Sequence, residues 1–132
     1  MTPGKSATER TGAAAGVARD VATLRCEGEM GTLELSALCE ELFRLSHRGC
    51  RKVVIDLSLV DHVDYRGLRP LAARAKLLAA AGGGLKLAGL SPYLAAIFRA
   101  AGVDEELAMY RTAEEARLSF AALPALALAR RG

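Results

Sequence analysis

The chain is 132 residues long, 52% hydrophobic, without tryptophan and with three cysteines, enough for one domain with its own core. Its net charge of +3 does not come from the centre. Residues 20–123 hold 13 Lys/Arg against 14 Asp/Glu, whereas Lys5, Arg10, Arg19, Arg130 and Arg131 are opposed only by Glu9. A near-neutral centre argues against a basic groove for nucleic acid, and no run of about 18 uncharged apolar residues argues for direct membrane insertion.

Residues 1–19 are rich in Gly, Ala, Thr and charge and read as a flexible N-terminal tail. No signal-peptide core occurs there, and Cys26, Cys39 and Cys50 lack the close spacing of a zinc or redox motif, so a reduced, cytoplasmic protein is expected. Val21 to Glu27 alternates apolar and polar side chains, the pattern of a half-exposed strand, with Gly28-Glu29-Met30-Gly31 as its end. Leu35, Leu38, Cys39, Leu42 and Phe43 recur at helical spacing and predict an amphipathic helix over 33–48, stopped by Gly49. Cys26 and Cys39 are expected to be small core residues.

Lys52 to Leu59 is a β-branched, nearly continuous apolar run, as expected for a parallel strand covered on both faces. An acidic turn follows, and Leu68, Leu71, Ala72, Ala75, Leu78 and Ala79 mark a second helix over 68–81, ended by Gly82-Gly83-Gly84. Leu85 to Gly89 is a short strand. Ser91-Pro92 then opens a helix, with the hydroxyl as cap and the proline where its missing N–H costs nothing. Leu94, Ile97, Phe98 and Ala101 give that helix its buried face, and Gly102 closes it. Met109-Tyr110 reads as a last short strand. Thr112 with Glu115 forms a capping box for a final helix, which Pro124 breaks, leaving 124–132 as a C-terminal tail. One domain over 20–123 is expected. Its class is α/β: an open sheet of about four to five mostly parallel strands with about four helices.

Asp56, Asp61, His62 and Asp64 crowd around one strand end, where open α/β sheets gather their sites. A receiver-like phosphotransfer domain would use Asp56 and Asp61. It would also need an acidic pair after the first strand, where only the spaced Glu27 and Glu29 stand, and a lysine where Ser91-Pro92 is found. The better supported reading makes Asp61 and Asp64 acceptors of backbone N–H groups in the turn and at the helix start. His62 has no second histidine or cysteine at ligand spacing, so no metal is expected, and neither His47 nor His62 has a nucleophile neighbour. The triple glycine follows a helix instead of preceding one and is a helix stop, not a phosphate cradle. No catalytic residue and no cofactor is assigned.

Val53-Val54-Ile55-Asp56-Leu57 followed by Val63-Asp64-Tyr65-Arg66-Gly67-Leu68 resembles the STAS domain of bacterial anti-sigma factor antagonists and stressosome components. That family runs from an apolar strand and Asp-Leu through a turn to Asp-Ser-Ser-Gly-Leu at a helix start. The similarity continues through Gly82 to Leu87, Leu90-Ser91-Pro92, Phe98 to Asp104 and Glu114-Glu115-Ala116, spanning about 20–122. The resemblance implies a non-enzymatic regulatory module that binds an anti-sigma factor or serine-kinase-type partner. Docking on the ATPase of a lipid-trafficking ABC transporter and assembly with further copies of itself are the alternatives. The implied contact residues are Asp61, His62, Asp64, Tyr65, Arg66, Gly67, Leu68 and Arg69. Arg66 occupies the position where switched members carry the phosphorylated serine, so control by serine phosphorylation there is not expected. Tyr65 and Arg66 are residue types favoured as interface anchors. Pro70 would sit deep in a helix capped by Asp64, so the helix is expected to begin two or three residues later, with 64–67 irregular.

Overall fold

The structure, a computed structural model, describes residues 21–121; the expected tails and the break at Pro124 lie outside them. Four strands, β1 (Val21–Met30), β2 (Lys52–Val63), β3 (Gly84–Ala88) and β4 (Ala108–Tyr110), form one sheet in chain order, each pair parallel. The helices are α1 (Thr32–His47), α2 (Leu68–Ala80), α3 (Pro92–Ala100) and α4 (residues 113–121), with a 3-10 turn at Tyr65–Gly67 before α2. This is the α/β architecture that the strand–helix alternation predicts.

The main core lies on one sheet face. Leu35, Leu38, Leu42 and Leu45 of α1 and Leu68, Leu71, Ala75 and Leu78 of α2 pack on Leu24, Cys26, Val53, Ile55 and Leu87, joined by Leu94 and Phe98 of α3. Truncating a buried leucine in such a layer costs about 2–5 kcal/mol. The other face is covered more thinly, by Ala116 and Phe120 of α4 against Val54 and Ala88. Cys26 is buried as expected. Cys39 is only partly buried at the core's margin, on the α1 side that meets Arg74 of α2.

Two expectations change at the β2 exit. Arg25 pairs with Asp56 but Glu27 with Leu59, and Gly28 pairs with Val60 but Glu29 with His62, so β2 carries one extra residue at each of two bulges. Each insertion shifts the in–out alternation by one. Leu57, Val60 and Val63 therefore all reach the core at three-residue spacing, while Ser58, Leu59, Asp61 and His62 are exposed. The predicted acidic turn is thus strand, and the covering on both faces ends at Leu57. Likewise β1 does not stop at Glu27 but runs to Met30, with Gly28 at φ 77°, a backbone state glycine adopts without strain.

The Ser91-Pro92 signal holds: Ser91 Oγ accepts the Leu94 N–H at 3.1 Å with Pro92 as the first helical residue. At α4 half of the expected capping box forms, with Thr112 Oγ1 accepting the Glu115 N–H at 3.1 Å, while the Glu115 carboxylate lies 3.7 Å from Arg111.

Candidate functional site

The site is built where β2 hands over to α2. The Asp64 N–H donates to the Met30 carbonyl at 2.9 Å, tying the end of β2 to the end of β1. Asp64 then takes an extended conformation and its Oδ1 accepts the Arg66 N–H at 2.9 Å, which caps the 3-10 turn. The Arg66 side chain returns to the same carboxylate: Nε donates to Oδ1 at 3.1 Å and Nη2 to Oδ2 at 2.7 Å. This two-pronged charge-assisted contact holds the Asp64 carboxyl down at about 2, chiefly through the side-chain hydrogen bonds, with the backbone N–H adding to it. Arg66 nevertheless remains largely in solvent.

Gly67 and Leu68, counted among the contact residues from the sequence, turn inward. A Cβ on Gly67 would stand 2.6 Å from Leu35 Cδ1, and Leu68 is fully buried. They seat the turn on α1 and present no surface. Pro70 is the third residue of α2, a position at which an N–H has no intrahelical acceptor in any helix, so the proline's missing N–H costs the helix no bond. The delayed start expected from Pro70 is what the chain adopts, with the 3-10 turn filling 65–67.

Asp61 does not cap. It stands exposed on the bulged strand, and among the described residues its carboxylate has no hydrogen-bond partner, so the capping role falls to Asp64 alone. Asp56 sits elsewhere, accepting the Ser58 N–H at 3.0 Å and lying 3.7 Å from Arg25 Nε. Of the four groups that crowd together in the sequence, Asp56 therefore lies apart, whereas His62 and Asp64 remain near one another. Among the described residues no three His, Cys, Asp or Glu side chains gather as a metal site.

A residue that the sequence did not nominate completes the site. Tyr93, near the start of α3, brings its hydroxyl to 2.7 Å from His62 Nδ1, and the two rings stack with centroids 5.8 Å apart. Residues 62–65 on one side and Tyr93, Ile97 and Ala100 on the other line a cavity of about 380 Å³, open to solvent. Ile97, expected in the buried face of α3, is half-buried here. The spacing 93, 97, 100 is itself a helical stripe, and that signal was present in the sequence. The site thus combines an exposed tyrosine and a self-paired arginine on a tied turn with an apolar groove beside them, a surface suited to contact.

A family model described as "Mlab, STAS domain" matches residues 14–111. No curated protein matches the chain. Solved structures similar to it include a Thermotoga maritima protein assigned as an anti-sigma factor antagonist (20% identity, TM-score 0.68, 76% of this chain and 87% of that one). Others are RsbS of Moorella thermoacetica with a Ser-to-Glu substitution (21%, 0.67, 80% and 91%) and the phosphorylated Bacillus cell fate determinant SpoIIAA (21%, 0.58, 74% and 88%). These likenesses concern the fold. The family match covers well over half of the chain, and with the sheet order and the β2–α2 junction it fixes the assignment: the chain belongs to the STAS domain family.

Proposed function

We propose that this STAS domain is a non-enzymatic regulatory module that binds another protein through Asp61, His62, Asp64, Tyr65, Arg66 and Arg69, and that serine phosphorylation does not switch it. The observation that carries the reading is the Asp64–Arg66 pair. Arg66 stands where the sequence resemblance places the acceptor serine, and its guanidinium is locked onto the carboxylate two residues before it. A fixed, internally neutralised pair gives the turn one charge state over the physiological range, whereas a phosphoserine would alternate between two. The proposed partner is an anti-sigma factor or serine-kinase-type protein. The alternative partner is the ATPase of a lipid-trafficking ABC transporter.

The test has two arms. Incubation with such a kinase and ATP should leave residues 61–69 unmodified by mass spectrometry, whereas Arg66→Ser should restore a phosphorylatable hydroxyl; a phosphate on the wild-type turn would sink the unswitched reading. In co-elution with purified candidate partners, Arg66→Glu should weaken binding at least tenfold, and indifference to it would remove the turn from the interface.

A further inference from the structure

Resting on the protein-binding reading above, we propose that the groove between the β2 exit and α3 seats the partner's anchor: an aromatic or branched aliphatic side chain on a segment that carries a carboxylate toward α2. Both walls are held before anything binds. The His62–Tyr93 hydrogen bond and ring stack fix one, and the Asp64–Arg66 pair fixes the turn that presents the other, Tyr65. Pre-ordered walls spare the entropy that immobilising two large side chains would otherwise cost on association. Tyr65 and Tyr93 are each more than half exposed at 57% and 54%, while Ile97 and Ala100 give an apolar lining, and Ala100 is small enough to leave the groove unfilled. A concavity with rigid tyrosine walls is the setting in which a single buried anchor concentrates binding energy.

The charges beside the groove orient the occupant. Asp64 and Arg66 cancel one another. Arg69, in the first turn of α2, is exposed and has no carboxylate partner among the described residues; Asp61, next to His62, is exposed and equally unpaired among them. The positive potential on the Arg69 side comes from its guanidinium, since the Gly67 and Leu68 N–H groups donate to the Asp64 and Tyr65 carbonyls and Pro70 has none. A carboxylate beside the anchor fits that side, and a basic residue fits the strand side at Asp61. The groove is continuous with the turn, sharing Asp64 and Tyr65 with it, so one partner segment can engage both.

The proposal is tested by panning a random 12-residue peptide library, displayed on phage, against the full-length protein. Enriched sequences should pair an aromatic or branched aliphatic residue with Asp or Glu within a few positions. Synthetic versions, followed by fluorescence anisotropy, should bind at least tenfold more weakly to Ala100→Trp, which fills the groove, and to Ile97→Ser, which makes it polar. Arg69→Glu should weaken them severalfold. Thermal melts and circular dichroism establish that each variant is folded. No enriched sequence, or enrichment without the apolar–acidic pairing, overturns the groove. Peptides that are lost with Arg66→Glu but keep full affinity for folded Ala100→Trp and Ile97→Ser also overturn it, while leaving the turn as the contact. Loss with Ala100→Trp and indifference to Arg66→Glu supports the groove and removes the turn.

Discussion

Asp64 is held three times by one neighbour, through the Arg66 backbone N–H and two guanidinium donors. Its carboxyl is lowered from 3.8 to about 2, so the ionised form contributes to the native turn above about pH 4, and the contribution fades as pH falls toward 2. Arg66→Ser removes the two side-chain donors. The Asp64 titration, read from its side-chain carboxyl carbon by NMR, should then move back up toward 3.8. A midpoint unchanged near 2 would assign the depression to the backbone alone. Gly83 shows a second kind of single-residue constraint. A Cβ there would stand 1.9 Å from the Arg51 carbonyl oxygen, which accepts the Gly84 N–H at 2.9 Å. Gly83→Ala must push two backbone segments apart and should cost about 3 kcal/mol or more in urea unfolding. Gly82, at φ 93° with open space around it, marks the helix end and should accept Asn for about 1 kcal/mol or less. What the sequence offered as a single helix stop holds two residues under different demands.

At the scale of elements, α4 is secured by a lysine inside the structure. Lys86 of β3 is almost fully buried, its Nζ donates to Ser119 Oγ at 2.6 Å, and it lies 4.1 Å from the centre of the Phe120 ring. Ser119 Oγ in turn donates to the Ala116 carbonyl at 2.7 Å. Ser119→Ala leaves an ammonium under the helix with only aromatic faces for company and should cost about 1.5–3 kcal/mol in chemical denaturation. Lys86→Met, which keeps the length and removes the charge, should cost much less; an equal loss would show that packing, not the hydrogen bond, holds α4. Elements were legible in the sequence wherever one period ran unbroken, as along the leucines of α1 and α2, and wherever a cap had its own chemistry, as at Ser91-Pro92 and Thr112. The end of β2 was not, because two bulges turn a two-residue alternation into a three-residue one and expose Asp61 and His62 side by side. The turn's family likeness could be read from Asp64, Gly67 and Leu68. Its charge pairing could not, since the return of Arg66 to Asp64 needs the 3-10 geometry, nor could the groove, since it needs His62 to meet a tyrosine 31 residues later.

The two faces of the sheet are unequally covered, and this sets which parts of the molecule open together. Three helices and most of the large apolar side chains lie on the face that holds Cys26, against α4 alone on the other. β2 is paired on both sides only from Lys52 to Asp56; beyond that its ladder partner among the described residues is β1. Amides of Val53–Ile55 should therefore exchange only through global unfolding, and those of Ser58–His62 faster, through local opening of the bulged end. The cysteines provide an independent reading of the same hierarchy. Burial, with the charge of Asp56 as a smaller contribution, pushes the Cys26 thiol up to about 12, so the native protein offers almost no thiolate there. Cys39 is also raised by burial but is partly exposed on α1. Pulsed alkylation at pH 8 with mass-spectrometric readout should label Cys39 in the native state. Cys26 should be labelled only at the rate set by global unfolding, with the free energy found in urea. Labelling of Cys26 that keeps pace with Cys39 would mean that β1 detaches from β2 on its own. It would then carry Met30, and with it the anchor of Asp64, out of register. The turn would in that case be coupled to the edge of the sheet. If Cys26 stays protected, the turn rests on the most stable layer of the domain, as the proposed contact surface requires.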